Sequence, residues 1–339
     1  MNQWKTIACL SFAFCVLSFA FLAGCGSGGD AESKASGRPK IAGIVFQEDQ
    51  FFRLVLFGMR DAAKKANVEL LEANSNNKVE KEIELINTYV ARKVDAICVA
   101  PYSKTSSVPA LKAAYEKGIR IICHNTPIDA DFPAYYIECS PMDLGEQTGK
   151  AAKAYIEKNL DGKAKIAILA FKSQVPEQSD ARVAGFKKEV MQLPGVEIVA
   201  EQDAWLPDLG IKKAGDILTA HPEVNMIWSA NEGGTVGAVL AVKNAGKAGK
   251  VVVFGTDASE QLLSFLQSPD NILQAITAQR PVEVGRMAIE AAVKALATPR
   301  EQQKPCEKTY LKGTCLSRTN PDGVKEYAAQ LSEWISKGK

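Results

Sequence analysis

The sequence lacks the short motifs of the common enzyme classes, and it has almost no net charge. Lysine and arginine total 41 and aspartate and glutamate total 39, which gives a net charge of +2. This balance provides no electrostatic attraction for an acidic polymer, so nucleic acid is not expected as a partner. No P-loop, GxSxG or HExxH string occurs. An oxidoreductase or hydrolase function is therefore poorly supported.

The sequence also offers little for a cofactor or a metal. Residues 24–29 formally satisfy GxGxxG, but this string follows no strand pattern and opens no helix, so it is not a dinucleotide site. No CxxC pair or Cys/His spacing indicates a metal site. His124 could act as a base, but no nucleophile motif accompanies it. We therefore expect no catalytic residue, no metal and no cofactor.

The first residues predict export. Lys5 is the only charged residue before an apolar run over residues 7–23, which closes in LAGC at residues 22–25. This pattern indicates a lipoprotein signal peptide over residues 1–24, with Cys25 as the lipidated N-terminus. A retained transmembrane anchor is the alternative, because the run is nearly long enough to span a bilayer. Both interpretations place the body of the protein outside the cytoplasm, attached to a membrane.

Residues 25–38 are glycine, serine, alanine and scattered charge, the composition of a flexible linker. The remaining chain is long enough for two domains of ordinary size.

Five cysteines follow the predicted lipidation site. Cys98, Cys123 and Cys139 lie in apolar strand patterns, where a small buried side chain is expected. Cys306 and Cys315 lie in a polar segment, and the oxidising exterior favours a disulfide between them.

Short apolar runs alternate with longer stretches of helical periodicity, which is typical of βα units around a parallel sheet. Strands are predicted at residues 40–46, 68–72, 96–100, 120–124 and 134–139, and then at 165–170, 197–202, 226–229, 251–256 and 272–277. Helices are predicted at residues 51–66, 79–92, 179–191, 209–221, 234–245 and 259–267. The chain is therefore predicted to contain two similar α/β halves. The loops after their strands should converge on a cleft.

Several segments resemble segments of one protein family, and they occur along the chain in the same order as in that family. KIAGIVFQEDQFF and EKEIELINTYVARKVDAICVAPYSKTSSVPALKAAYEKGIRIICHN closely resemble the first lobe of periplasmic ribose- and galactose-binding proteins. SDARVAGFKKEV, IWSANEGGTVGAVLAV, VVVFGTDAS and ITAQRPVEVGRMA resemble the second lobe and the return crossing. The resemblance implies an α/β fold with two doubly wound parallel-sheet lobes joined by a three-strand hinge, the type I periplasmic binding fold. It places lobe 1 at residues 39–140 and 280–308, lobe 2 at 141–279, and a C-terminal crossing strand and helix at 309–339, for which it leaves the lobe open.

The resemblance also implies a function. The chain would be the solute-binding lipoprotein of an ABC-type sugar import system, a monomer that closes around a monosaccharide or similar polyhydroxylated ligand and docks on an ABC permease. The alternative is a receptor that presents a sugar or furanone-type signal to a membrane sensor, and the sequence does not separate the two.

A sugar has hydroxyls around its rim and C–H faces above and below, so its site needs aromatic planes together with charged or amide side chains. The resemblance places ten such residues in the cleft: Asp49, Phe51, Phe52, His124, Asn125, Arg182, Trp205, Asn231, Asp257 and Gln279. The pair His124-Asn125 departs from the Asp-Arg that is usual in the family, so the ligand cannot be assumed to be ribose.

Several of these residues also have a purely structural interpretation. Asp49, Asn231 and Asp257 precede helices and would serve equally well as N-caps. Phe51 and Phe52 could be core residues of an amphipathic helix. Trp205 could cover a domain edge. The sequence leaves these alternatives open.

Overall fold

The structure, a computed structural model, describes residues 37–304 and 306–338. The predicted signal peptide over residues 1–24 and the predicted lipidated Cys25 lie outside the described residues, as does most of the predicted linker. Within the described ranges, no helix combines the length and apolar character that crossing a membrane requires.

Twelve strands are formed in the described chain: β1 (Lys40–Val45), β2 (Glu69–Asn74), β3 (Ala96–Val99), β4 (Arg120–His124), β5 (Tyr135–Cys139), β6 (Lys163–Ala170), β7 (Gly195–Asp203), β8 (Met226–Ser229), β9 (Val252–Thr256), β10 (Leu273–Ala278), β11 (Glu307–Leu311) and β12 (Thr314–Ser317). The α-helices are α1 (Gln50–Lys65), α2 (Val79–Ala91), α3 (Val108–Glu116), α4 (Pro141–Asn159), α5 (Pro176–Val190), α6 (Pro207–Ala220), α7 (Glu232–Asn244), α8 (Glu260–Gln267), α9 (Pro281–Ala297) and α10 (Pro321–Gly338), with a short 3-10 helix at Arg300–Gln302. Each of the ten strands predicted from the sequence overlaps one of β1 to β10.

The strands form two six-stranded sheets, in the orders β11-β5-β4-β3-β1-β2 and β12-β10-β9-β8-β6-β7. We call the first sheet with its helices lobe 1 and the second lobe 2. Every pairing is parallel except that of β12 with β10. The predicted fold class, two parallel-sheet α/β lobes of the type I periplasmic binding fold, is confirmed.

Both faces of each sheet are buried, because helices cover the two sides. Along β1, Ile41 packs into one apolar cluster and Ala42 into another, and along β6 Ile168 and Leu169 do the same. Successive side chains of a strand point to opposite faces. A strand covered on both faces therefore has a continuous apolar sequence, as KIAGIV and KIAILA have.

The chain passes between the lobes three times: at Ser140 between β5 and α4, at residues 279–280 between β10 and α9, and at residues 312–313 between β11 and β12. We call these three crossings the hinge. They lie side by side, because the Ser140 amide donates to the Leu311 carbonyl at 2.8 Å and the Arg280 amide donates to the Cys139 sulfur at 3.2 Å.

The helix that follows each of the first two crossings packs against a neighbouring helix through glycine. A Cβ atom at Gly285 of α9 would lie 1.9 Å from the Val55 carbonyl oxygen of α1. A Cβ atom at Gly145 of α4 would lie 1.9 Å from the Arg182 carbonyl oxygen of α5. No side chain fits at such a distance, so glycine is required for the two helix pairs to pack this closely.

The predicted disulfide between Cys306 and Cys315 is wrong, since both cysteines are free. Cys306 precedes β11 and packs against the lobe 1 core, whereas Cys315 lies in β12 and packs against the lobe 2 core. The whole of β11 separates them, and an extended strand advances about 3.3 Å per residue. Their Cα atoms therefore cannot come within the roughly 4.4–6.8 Å that a disulfide needs. Cys98, Cys123 and Cys139 are free and buried.

The α1/α9 contact yields a stability test. Gly285→Ala should destabilise the fold by about 1–3 kcal/mol, because the new methyl group would force the two helices apart. Gly215→Ala is the matched control: Gly215 also lies in a helix, but nothing lies within 4 Å of its added Cβ, so the helix preference of alanine should raise stability slightly. Urea unfolding followed by circular dichroism measures both, and equal effects would contradict this account.

Candidate functional site

A cavity of about 570 Å³ lies between the lobes, at the carboxyl ends of the strands. Its walls are the loops and helix starts that follow β1, β4, β6, β7, β8, β9 and β10. Nine of the ten residues predicted for the ligand site line it: Asp49, Phe51, Phe52, Asn125, Arg182, Trp205, Asn231, Asp257 and Gln279. Their role in binding stays a prediction, but the structure brings them together.

Asp49 is both a helix cap and a wall of the cavity. Its Oδ1 accepts from the Phe52 amide at 2.8 Å at the start of α1, and its Oδ2 accepts from the Gln47 side-chain amide at 2.8 Å. The cap uses one lone pair of Oδ1, which leaves acceptor capacity facing the cleft. The two interpretations of Asp49 are therefore compatible.

Aromatic rings line both sides of the cavity. In lobe 1, Phe52 is only 3% exposed and stands edge-on to Phe46 at 4.6 Å and to Phe51 at 5.1 Å between ring centroids. In lobe 2, Phe171 and Trp205 follow β6 and β7 and pack on the lobe 2 core. Such rings supply rigid apolar surface against which the C–H face of a ligand can pack.

Arg182 of α5 is the buried cation of the site. It is 5% exposed, its Nη1 donates to the Ala230 carbonyl at 2.8 Å, and it lies 3.7 Å from Oδ2 of Asp257. Its guanidinium stands over the Phe171 ring at 5.1 Å. The Nε atom has no hydrogen-bond partner among the described residues. Because an unsatisfied buried donor is costly, this group has hydrogen-bonding capacity to offer a ligand.

Asp257 links three parts of lobe 2. It follows β9 with φ of +73°, in the left-handed region that Asn and Asp tolerate better than most residues. Its Oδ1 accepts from the Gln279 side-chain amide at 2.6 Å, at the second crossing. Its Oδ2 accepts from the Glu232 amide at 3.0 Å, at the start of α7. Asp257 is not the cap of α8, which is Ser259.

Asn231 caps α7 and holds Trp205. Its Oδ1 accepts from the Gly234 amide at 3.1 Å, while its Nδ2 donates to the Trp205 carbonyl at 2.8 Å. One amide therefore fixes both a helix start and the loop that carries an aromatic wall of the cavity.

His124 is the predicted site residue that the structure does not bring to the cavity. It is the last residue of β4 and is completely buried, and burial lowers the pKa of its imidazole to about 3. Because its side chain is enclosed within lobe 1, His124 does not face the cavity. The next residue, Asn125, turns into the cavity with φ of +61°.

The sequence analysis missed several polar residues that join the lobes across the cleft. The Gln174 side-chain amide donates to Oε1 of Gln47 at 3.0 Å, and Nε2 of Gln50 donates to the Ala258 carbonyl at 3.4 Å. Two further residues of the lining, Glu232 and Tyr327, were also missed. Glu232 could have been found as the neighbour of Asn231. Tyr327 belongs to α10 and gives no local signal in the sequence.

Two carboxyl groups of the cavity have raised pKa values. For Asp49, burial raises the pKa most, the Phe52 amide opposes it, and the charge of Asp257 raises it further. For Glu232, burial again raises the pKa most, a hydrogen bond with Ser259 opposes it, and the charges of Asp257 and Asp49 add to the rise. The carboxylates of the two lobes thus interact with one another. Within residues 37–304 and 306–338, no cluster of His, Cys, Asp or Glu suited to a metal occurs.

Comparison with known proteins identifies the family. The model of the periplasmic binding protein domain matches residues 44–299, which is most of the chain. This chain belongs to the periplasmic binding protein family. It is a solute-binding protein of the kind that serves ABC importers, and it is not an enzyme.

Individual relatives agree with this assignment. This periplasmic binding protein is 29% identical over 280 residues to the ABC transporter periplasmic-binding protein YphF of Escherichia coli, covering 80% of this chain and 85% of the relative. It is 26% identical to the D-ribose/D-allose-binding protein of Pseudomonas aeruginosa, covering 78% and 85%. A solved solute-binding protein of Actinobacillus succinogenes with bound D-allose is 27% identical with a TM-score of 0.75, covering 84% of this chain and 100% of the other.

Glu138 stands at the end of β5, two residues before the first crossing. It is 8% exposed and lines a second cavity of about 270 Å³ together with Lys104, Ser140 and Gln178. Burial raises the pKa of this carboxyl to about 7, although a hydrogen bond with Tyr136 and the charges of Arg182 and Lys104 oppose the rise. Glu138 therefore begins to ionise near neutral pH in the folded protein.

The raised pKa predicts a pH effect on stability. The folded protein favours the protonated form of Glu138 more than the unfolded chain does, and this preference stabilises the fold. The stabilisation is fully present below the unfolded pKa of about 4.5 and is lost as pH rises through the folded pKa of about 7. Between pH 5 and 8 we expect the wild type to lose about 2 kcal/mol relative to Glu138→Gln, which cannot ionise. Urea unfolding across this range measures the difference. The exposed Glu157→Gln should show the wild-type slope, and an E138Q slope equal to the wild type would contradict the prediction.

Proposed function

We propose that this chain is the solute-binding lipoprotein of an ABC-type sugar importer, and that it binds a monosaccharide or a similar small polyhydroxylated ligand in the 570 Å³ cavity. The observation that carries the proposal is Arg182, a buried guanidinium whose Nε has no partner in the described part of the chain, set among aromatic rings and amides in that cavity. Sugar hydroxyls would accept from Arg182 and donate to Asp257 and Asp49, and their C–H faces would pack on the rings.

The relatives support a sugar as the ligand. One of those described above is named for D-ribose and D-allose, and a solved relative carries D-allose. A small ring with several hydroxyls suits the mixture of donors and acceptors in the cavity, since each hydroxyl that loses its water on binding needs a hydrogen-bond partner in the protein.

We infer that binding works by closure at the hinge. The site residues come from both lobes, with Asp49, Phe52 and Asn125 on lobe 1 and Arg182 and Asp257 on lobe 2. A ligand that bonds to both sets stabilises the closed arrangement over the open one. We place the lobe boundaries at the three crossings and propose that only the closed form docks productively on the permease.

We further propose that the protein is a membrane-anchored monomer, tethered by lipid on Cys25 through the linker of residues 25–38. The support is the sequence pattern of residues 7–25. A tethered binding protein stays close to its permease, which raises the local concentration of binding protein at the permease.

Arg182→Ala tests the site. Removing the guanidinium should weaken binding of the tightest ligand in a panel that includes D-allose and D-ribose by about 2–4 kcal/mol, or about 30- to 1000-fold, because the ligand and Asp257 lose a charged partner. Isothermal titration calorimetry on the purified full chain in mild detergent measures the change. Lys187→Ala, on the same helix but outside the lining and paired with Glu201, is the control that should bind normally. Unchanged affinity in a folded R182A variant would show that the site is elsewhere.

Cys25→Ser tests the anchor. The wild-type chain should take up an alkyne-labelled fatty acid and sediment with membranes, whereas C25S should do neither, because it lacks the thiol that forms the thioether with the lipid. Cys306→Ser is the matched control and should behave as the wild type. Labelling of the C25S variant would refute the lipoprotein proposal.

A further inference from the structure

The charges that line the cavity are not balanced. Two guanidinium groups face four carboxyl groups: Arg53 and Arg182 against Asp49, Glu232, Asp257 and Glu260. Glu260 is exposed, so solvent screens it. The other three carboxyl groups are partly buried and act on one another with less screening.

The two arginines leave two of these carboxyl groups without an ion pair among the described residues, although the charge of the exposed Arg53 opposes the rise that burial causes in the pKa of both. Arg182 lies 3.7 Å from Asp257. Arg53 is exposed, and its ion pair at 3.9 Å is with Glu48, which is not part of the lining. In the part of the chain that the structure describes, neither Asp49 nor Glu232 has an ion pair.

Asp49 and Glu232 belong to different lobes but lie at the same side of the cavity. Gln50, next to Asp49, donates to the carbonyl of Ala258, next to Asp257, at 3.4 Å. The backbone amide of Glu232 donates to Asp257 at 3.0 Å. Asp257 therefore stands beside both residues. The raised pKa values of Asp49 and Glu232, each partly due to the other acidic groups, agree with this placement.

We propose that the cavity selects a polyhydroxylated ligand that carries an ammonium group, such as an amino sugar or an aminocyclitol, with the ammonium between Asp49 of lobe 1 and Glu232 of lobe 2. This inference rests on the proposed function, and it further specifies that the sugar-like ligand is positively charged. The hydroxyls of the same ligand would accept from Arg182, whose buried Nε has no partner among the described residues.

The physical reason is the cost of closing the cleft on two like charges. With a neutral sugar, closure leaves both carboxylates desolvated and repelling, or requires one to take up a proton. An ammonium group would form charge-assisted hydrogen bonds to both carboxylates and remove the repulsion. A sugar acid would bring a further negative charge to the same place and should be rejected.

Matched trios of ligands test the proposal: glucosamine, glucose and glucuronate, and the corresponding galactose and mannose sets. Calorimetry on the purified full chain at pH 7 and low salt gives the dissociation constants. Within a trio that binds, the amine should bind about tenfold to hundredfold tighter than the neutral sugar, and the sugar acid weakest. N-acetylation, which removes the charge, should abolish the advantage of the amine.

Two variants test where the ammonium group of the ligand binds. Asp49→Asn and Glu232→Gln should each reduce the preference for the amine over the neutral sugar by about tenfold, because the amine loses a charge-assisted hydrogen bond whereas the neutral sugar loses only an ordinary one. Both replacements keep the size of the side chain, and the side-chain oxygen that remains in Asp49→Asn can still accept from the Phe52 amide that caps α1, so folding should survive. Glu157→Gln on the exposed face of α4 makes the same chemical change far from the lining and should leave the preference intact.

The outcomes separate this inference from the proposed function. If neutral sugars bind as tightly as their amines, or if D49N and E232Q leave the ratio unchanged, the ammonium proposal is overturned while sugar binding stands. If no member of any trio and no polyol binds to the folded chain, the proposed function itself fails, and the inference fails with it.

Discussion

All strands of a parallel sheet end at one edge, and in this protein two such edges are held face to face by three adjacent crossings. The positions of the residues that line the cavity follow from this constraint. Asp49, Arg182 and Asp257 lie far apart in the sequence, yet each lies in the loop or helix that follows a strand and so arrives at the same cavity. Helices also begin there, which is why Asp49 and Asn231 cap a helix and face the cleft with one side chain.

The packing behind the cavity keeps these residues in place. α4 and α9 are the first helices after a crossing, and through Gly145 and Gly285 they pack closely against α5 and α1. α5 carries Arg182 and α1 carries Phe52. Since a tightly packed helix pair moves as one body, the proposed rotation at the hinge would carry the cavity-lining groups of each lobe with it and would not distort them.

The sequence predicts the strands well because each is a short apolar run, and the fold class follows from their alternation with helices. Prediction from the sequence fails where contacts between distant parts of the chain determine the position of a side chain. Cys306 and Cys315 are near in sequence but pack in different lobes. Phe171 directly follows β6, so the rule that directs attention to residues after strands could have found it. Tyr327 could not be found that way, because only the return of α10 past the hinge brings it to the cavity. His124 ends β4 inside the lobe, whereas Asn125 leaves the strand with a left-handed φ and reaches the cavity, and the resemblance alone did not separate the two.

The triple crossing also determines when the protein can fold. Lobe 1 receives α9 and its edge strand β11 only after β6 to β10 of lobe 2 have been made. A nascent chain therefore holds an incomplete first sheet, with β5 as an unprotected edge, until residue 311 is available. Pairings so distant in sequence form slowly. Completion of lobe 1 therefore depends on the far end of the chain, although its first five strands are made before any strand of lobe 2.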